Sequence, residues 1–346
     1  MPRESATVNQ LEGQIIRCLQ LSPRVPFSTV ATALSVSEQT VARRYRRLVR
    51  AGIVRVTAVV NLGALGQSNW IVRTQCKPSG AESLAKALAQ REDVSWVTLV
   101  SGGSEIVCVL RARTEEARDD LLIQRLPRTA PVLGIAAAMV LHRFVGEGMH
   151  PTDDWAGLAD LLDAGQQRTV LQHGDLGLAE PVRNADGTQR TTLEDTDRLL
   201  LDALARDGRA SFAAVAQAGG VSETTATRRL RALFAAGEAY LDVDLSAAAL
   251  GYHAAATLWL TVTPAELDRA GQALAGEREV AFVGAITGQS NLTASVVCRD
   301  TAALYRFVTD KVGAIAGVQS MEVSPVLRHI KQAGTLTVGD RLAESS

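Results

Sequence analysis

Long apolar runs are missing from this chain of 346 residues. The longest, around Leu133 to Leu141, is of strand length, whereas a membrane span needs roughly 18 to 20 residues. The opening MPRESATVNQ has no apolar core behind it, so no signal peptide is expected and the chain reads as cytoplasmic, without a membrane partner. Cysteine is sparse: Cys18, Cys76, Cys108 and Cys298 stand far apart and form no C-x-x-C, which argues against a disulfide framework and leaves four reduced core thiols. Aromatic residues make up only 4% of the chain, and there are five histidines. No H-E-x-x-H, Ser/His/Asp set or paired metal-ligand spacing occurs, so neither catalytic residues nor a metal or cofactor is expected. The close glycines of Leu62-Gly63-Ala64-Leu65-Gly66 open no clear βαβ unit, which argues against a nucleotide loop.

Charge is present but uneven. The formal net charge is -1, yet residues 1 to 67 carry nine arginines against Glu4, Glu12 and Glu38, a balance of +6. Residues 147 to 202 carry twelve acids against four arginines, a balance of -8. A basic head on a neutral chain calls for a partner of negative charge. Much of that charge lies in SEQTVARRYRRLVRAGIV, which starts at Ser37 and holds five arginines.

The same segment reveals a repeat. Sliding the chain by 185 positions sets Val36-Ser37-Glu38 on Val221-Ser222-Glu223, Arg43-Arg44 on Arg228-Arg229, Ala51-Gly52 on Ala236-Gly237 and Phe27 on Phe212. A shift of 186 sets Pro78 on Pro264 and Gly102 on Gly288, and a shift of 187 sets His142 on His329. So small a drift over a unit of about 145 residues indicates a tandem duplication.

Each unit has two parts. In the first, Leu11, Ile15, Ile16 and Leu19 recur at helical spacing until Pro23 and Pro26 interrupt them. Phe27 to Leu34 reads as a short helix. Ser37 then caps a third helix, which ends near Gly52 with an apolar stripe of Val41, Tyr45, Leu48 and Val49. Val54 to Val60 alternates like a strand and suits a wing. This order is a winged helix-turn-helix. The second part reads strand (Asn69 to Cys76), helix (Ala81 to Gln90), two strands (Val94 to Val100 and Glu105 to Arg111), helix (Thr114 to Leu126) and strand (Ile135 to Arg143). That is an α+β, ferredoxin-like βαββαβ domain whose open sheet face needs a partner, which the second copy supplies. The expected domains are helix-turn-helix 8–62, ferredoxin-like 66–146, an acidic linker 147–192, helix-turn-helix 193–248, ferredoxin-like 252–333 and a tail 334–346. Trp155, Leu158, Leu161 and Leu162 predict one amphipathic helix within the linker.

An arginine-rich third helix fits the major groove of double-stranded DNA, because guanidinium groups pair with guanine edges and phosphates while small polar residues let the helix N-terminus approach closely. The expected contacts are Ser37, Gln39, Thr40, Arg43, Arg44 and Arg47 in the first copy, with Ser222, Thr224, Thr225, Arg228 and Arg229 in the second. Ala232 and Ala235 replace the arginines at 47 and 50, so the first unit is expected to supply more of the electrostatic affinity on an imperfectly palindromic operator.

The segments VSEQTVARRYRRLVRAGIVRVTAVVNLGALG and VSETTATRRLRALFAAGEAYLDVDLSAAALG, each followed by a βαββαβ pattern, resemble the Lrp/AsnC (feast-or-famine) family of bacterial and archaeal transcription regulators. The resemblance spans about 10 to 145 and 193 to 333. It implies an intrachain pseudodimer that binds a two-half-site operator, assembles into higher homo-oligomers and responds to an amino acid or related small effector. It implies an effector loop between the second and third strands, here Gly102, Gly103, Ser104 and Glu105 in one copy and Gly288, Gln289, Ser290 and Asn291 in the other. The family's Gly-x-Tyr-Asp departs here to Gly-Gly-Ser-Glu and Gly-Gln-Ser-Asn, which puts recognition of an α-ammonium group in doubt. Two alternatives stand beside a bacterial regulator of this kind. One is a sirohaem-decarboxylase-like enzyme, since similar tandem chains use His and Arg in the sheet domain. The other is an effector-binding module with reduced DNA binding. His142 and His329 recur at equivalent places in the last strand and read as edge or interface residues.

Overall fold

The computed structural model describes residues 8–61, 63–65, 67–112, 114–145, 155–172 and 193–343. In chain order the first copy runs α1 (Gln10–Leu21), α2 (Phe27–Leu34), α3 (Glu38–Arg50), β1 (Val54–Val60), β2 (Trp70–Cys76), α4 (Pro78–Ala89), β3 (Val94–Val100), β4 (Glu105–Leu110), α5 (Glu115–Asp119) and β5 (Val132–Val145). The connection holds α6 (Ala164–Gln172). The second copy runs α7 (Asp195–Arg206), α8 (Phe212–Ala218), α9 (Glu223–Ala235), β6 (Ala239–Leu245), β7 (Ala254–Val262), α10 (Leu267–Ala275), β8 (Val280–Ile286), β9 (Leu292–Cys298), α11 (Thr301–Arg306) and β10 (Val318–His329), followed by β11 (Lys331–Gln332) and β12 (Thr335–Val338). Among the described residues no helix is long and apolar enough to cross a membrane.

The chain divides into two compact units, and each contains half of both copies. One unit joins both helix-turn-helix segments with the connection and the residues from Arg341 onward. Its helices start where the sequence supplies caps. Asn9 accepts from the Glu12 amide (3.0 Å) while Glu12 accepts from the Asn9 amide (3.2 Å), a reciprocal box at the head of α1. Ser37 and Ser222 accept from the Thr40 and Thr225 amides. Gly52 ends the α3 turn at φ +62°, a conformation that suits glycine.

Val54–Val60 does not form a wing on its own copy. It pairs antiparallel with β6 over all seven residues, from Val54 opposite Leu245 to Val60 opposite Ala239. The reason is burial: Val54, Val56 and Ala58 share one core with Leu241 and Val243 and with helix residues of both copies, Ile15, Leu19, Leu48, Leu200, Leu204 and Leu230 among them. Sharing one core brings the copies together through apolar area removed from water.

The connection also differs from the single amphipathic helix expected. A short 3-10 turn over Ala156–Leu161 is followed by α6, and the Asp163 carboxylate accepts from the Gly165 and Gln166 amides (2.7 and 2.8 Å) to start that new helix. Leu158, Leu162 and Val170 enter the shared core, and Gln14 and Gln20 of α1 donate to the Leu161 and Trp155 carbonyls. This part of the connection is therefore packed structure; the rest of the expected linker lies outside the described residues. Nor is 334–343 a simple tail: β12 pairs with β11, and the Leu342 amide donates to the Gly52 carbonyl (2.9 Å).

The other unit is one closed barrel of order β10-β3-β4-β2-β5-β8-β9-β7. Each copy keeps the ferredoxin-like order within it, β3-β4-β2-β5 and β8-β9-β7-β10, and the seams are β5 against β8 and β10 against β3. Helix-facing residues such as Val72, Ile106 and Leu110, or Leu258, Leu292 and Val296, form the two outer cores. The alternate residues Ile71, Val107, Trp259 and Ile286 form a separate core on the other face of the strands. The face left open in one copy is closed by the other. The helix expected over Thr114 to Leu126 is shorter. It passes into a π-helical turn at Asp120, as α11 does at Phe307, burying Leu121 and Phe307.

Candidate nucleic-acid interface

Ser37 and Thr40 lie at the N-terminus of α3 with their hydroxyl oxygens 2.9 Å apart, and Ser222 and Thr225 repeat this at α9, also at 2.9 Å. Both hydroxyl pairs are accessible to solvent, as are Gln39 and Thr224 beside them. Along the helices Arg43, Arg46 and Arg50 of α3 and Arg228 and Arg231 of α9 are exposed. Among the described residues Arg43 and Arg228 make no ion pair; Arg46 folds back to the Ala42 carbonyl (3.2 Å).

Three arginines of the expected DNA-contacting set pair with acids of the first helix of their copy, Arg47 among them while still exposed. Arg44 donates to Glu12 (3.1 Å), and Arg47 donates to the same carboxylate (2.7 Å). In the second copy Arg229 donates to Asp197 through Nε (2.7 Å) and Nη2 (3.0 Å) and pairs with Glu194 (2.7 Å). Glu12 and Asp197 are counterparts at the shift of 185. Burial alone would push the Glu12 carboxyl up; hydrogen bonds from Arg47, the Asn9 amide and Arg44 outweigh it and hold the carboxyl below its ordinary range. The physical reason for this pairing is that a buried carboxylate on the first helix needs cations, and the third helix supplies them. Sequence reasoning passed over Glu12 and Asp197, although an acid at both places in an otherwise apolar helix face was a visible signal.

The expected effector loops are tight turns whose side chains bond largely to their own strands. Ser101, Gly102 and Gly103 turn through positive φ (52°, 69° and 84°), and the Ser104 hydroxyl donates to the Ser101 carbonyl (2.8 Å). Glu105 is buried, and Arg73 donates to both of its oxygens (2.6 and 3.2 Å). The same guanidinium donates to Glu322 of the second copy (2.6 and 3.1 Å) and lies 4.3 Å from the Trp259 ring centre. Burial would lower the Arg73 pKa, but the bonds to Glu322 and Glu105 reverse this and raise it. In the second copy Asn291 accepts from the Val262 amide (2.8 Å) and donates to the Val262 carbonyl (2.7 Å), so it continues the strand ladder. Gly288 has φ 112°, and the Gln289 carbonyl accepts from Thr261 (3.3 Å), while Ser290 is partly covered. Gly102, Ser104, Gly288 and Gln289 remain exposed.

His142 and His329 lie at the two seams. His142 stands opposite Ala285, with its ring 4.6 Å from that of Phe144. His329 stands opposite Thr98, whose hydroxyl lies 3.2 Å from Nδ1, and burial pushes its pKa down to about 4.

Models of the AsnC-type helix-turn-helix domain match residues 10–49 and 193–233, and the Lrp/AsnC ligand binding domain matches 255–336. An uncharacterized HTH-type transcriptional regulator from Pyrococcus abyssi is 30% identical over 153 residues, covering 42% of this chain and 93% of that protein. The HTH-type transcriptional regulator LrpA of Mycobacterium tuberculosis is 28% identical over 146 residues, covering 41% of this chain and 96% of that protein. Among solved structures, the siroheme decarboxylase NirDL covers 97% of this chain and 96% of its own, with a TM-score of 0.58 at 14% identity, a likeness of fold alone.

Proposed function

The chain belongs to the Lrp/AsnC family of transcriptional regulators, and from that premise we propose that it reads a two-half-site operator as a pseudodimer within one polypeptide. The observation that carries the reading is the helix-turn-helix unit: two recognition helices, each with an exposed Ser/Thr-lined N-terminus and unpaired exposed arginine, share one core and one seven-residue strand pair. Helix-turn-helix dimers meet half-sites about one helical turn apart, and a shared core holds such a spacing without a second chain. The principal contacts proposed are Ser37, Gln39, Thr40 and Arg43 with Ser222, Thr224, Thr225 and Arg228. Arg44, Arg47 and Arg229 support the helices instead.

The first helix exposes more arginine, so the operator is proposed to be asymmetric in electrostatic weight. Any small effector is proposed to use the exposed loop backbone at Gly102 and Gly288 rather than Glu105 or Asn291. The regulator reading is preferred to tetrapyrrole decarboxylation because Arg73 is already held by two carboxylates and a ring, and the two histidines occupy structural seams. The test is selection of bound genomic fragments by purified protein across a range of salt concentrations. Recovery of a two-half-site motif supports the proposal. Binding without any motif, even at low salt, overturns it.

A further inference from the structure

Arg24 and Arg209 are counterparts at the shift of 185, each in the turn between the first and second helices of its copy. Each reaches into the other copy's turn. Arg24 donates to the Gly208 carbonyl (2.8 Å) and lies 5.0 Å from the ring centre of Phe212. Arg209 donates to the Pro23 carbonyl (2.6 Å) and the Val25 carbonyl (2.9 Å), and lies 4.5 Å from the Phe27 ring and 5.5 Å from the Tyr45 ring.

The exchange is reciprocal but unequal. Tyr45 belongs to α3, the first recognition helix, and packs on Phe27 with ring centres 5.2 Å apart. Its counterpart in α9 is Leu230, which offers no ring to Arg24. Arg209 therefore reaches a recognition-helix ring of the other copy, Tyr45, whereas the equivalent place in α9 has no ring for Arg24 to meet. A planar guanidinium suits this task. It donates in fixed directions along its edge and stacks on aromatic faces, which a lysine ammonium does not reproduce.

We infer that Arg209, a residue of the second copy, is a positioning residue for the recognition helix of the first, so that base reading at the first half-site depends on the second copy. This rests on the operator-binding reading proposed above. The experiment uses the full chain and the operator recovered from the fragment selection. Arg43→Ala first identifies which half-site belongs to α3. Base discrimination at every operator position is then measured for wild type, Arg209→Lys, Arg24→Lys and Tyr45→Leu.

With Arg209→Lys, which keeps the charge, discrimination at the α3 half-site is expected to fall about tenfold while the other half-site changes less than about twofold. Arg24→Lys is expected to change the α9 half-site by less than about threefold. Tyr45→Leu copies the residue at the equivalent place in α9 and is expected to reproduce the Arg209→Lys pattern. It decides the matter if Arg209→Lys does not fold. Unaltered discrimination in Arg209→Lys, or equal loss at both half-sites, overturns the inference, and so does failure of both variants to fold. If the wild type yields no motif, it is the operator-binding reading that fails, and the inference falls with it.

Discussion

Replacing Glu12 by Gln should weaken the helix-turn-helix unit and strengthen its hold on DNA at the same time. The Glu12 side chain is fully buried, while its partners Arg44 and Arg47 are 32% and 42% exposed. Gln can keep the capping contact with the Asn9 amide, so the change removes mainly the ionic part. Two charge-assisted hydrogen bonds would be worth about 1.5–3 kcal/mol each if fully buried. Water screens the arginine ends and rehydrates them once freed, which brings the expected total loss to about 1–3 kcal/mol. Because the folded carboxyl is held below its ordinary 4.5, its contribution is complete above that pH and is lost as pH falls through the folded value. Glu12→Gln should therefore also flatten the acid limb of the stability profile.

On the DNA side, two released guanidiniums would steepen the slope of log affinity against log salt by up to about 1.8, at about 0.9 per phosphate neutralised. Denaturant titration reads the first effect. Fluorescence anisotropy with an operator duplex, between about 50 and 200 mM salt, reads the second. Unchanged stability would refute the role given to Glu12 in joining α1 to α3. Lost stability with an unchanged slope would show that the freed arginines do not face phosphate.

Arg43→Ala should lower the salt slope by about 1 and weaken binding more than Arg228→Ala, as paired binding isotherms would show. Arg73→Met should destabilise the barrel by about 2–4 kcal/mol in denaturant titration, because Glu105 is left buried without its cation and the guanidinium itself is only 21% exposed. Adding Glu105→Gln should recover part of that loss. His329 has its folded pKa pushed down to about 4 from an ordinary 6.5. Its contribution is thus whole above about pH 6.5 and lost as pH falls toward 4, by up to about 3 kcal/mol, and the His329→Gln variant should lack that part of the acid dependence. Gly208→Ala would place a Cβ 2.6 Å from Val56 Cγ1 and 2.8 Å from Val56 backbone atoms. A loss of about 1–3 kcal/mol is expected in the helix-turn-helix unit, measured by the same denaturant titration.

Much of the fold was legible because it depends on local rules. Ser37 announces a helix start, Pro23 and Pro26 announce a break, and the short apolar runs of β2 through β4 announce strands. The closed barrel was half legible: an apolar open face demands cover, and a duplication offers it. The wing was misread because alternation in Val54–Val60 fixes a strand but not its partner; a neighbouring strand of the same copy and the same strand of the other copy satisfy the backbone equally. The linker helix was misread because Asp163 starts a new helix after Leu162, a cap visible in sequence but outweighed by the apolar spacing around it.

The candidate site divides in the same way. Spacing put Arg43, Arg44 and Arg47 on one helix with no means of sorting them. Arg43 stays exposed while Arg44 and Arg47 meet Glu12, which lies 32 and 35 positions away in the chain. Glu105 looked like a ligand-facing acid because its loop resembles an effector loop, and Arg73 on the adjacent strand takes it instead. Sequence alone determined the duplication, which is a match of residue identities at a shift of about 185 and needs no contact, and it determined the order of elements, the Ser37 cap and the basic character of the first third helix, since these follow from residues within a few turns of one another. Tertiary structure decided which strand closes on which, which arginines remain free and how Arg24 and Arg209 cross between copies. Those outcomes depend on desolvation and on partners distant in the chain, and a buried charge must find its counterion wherever the fold happens to bring one.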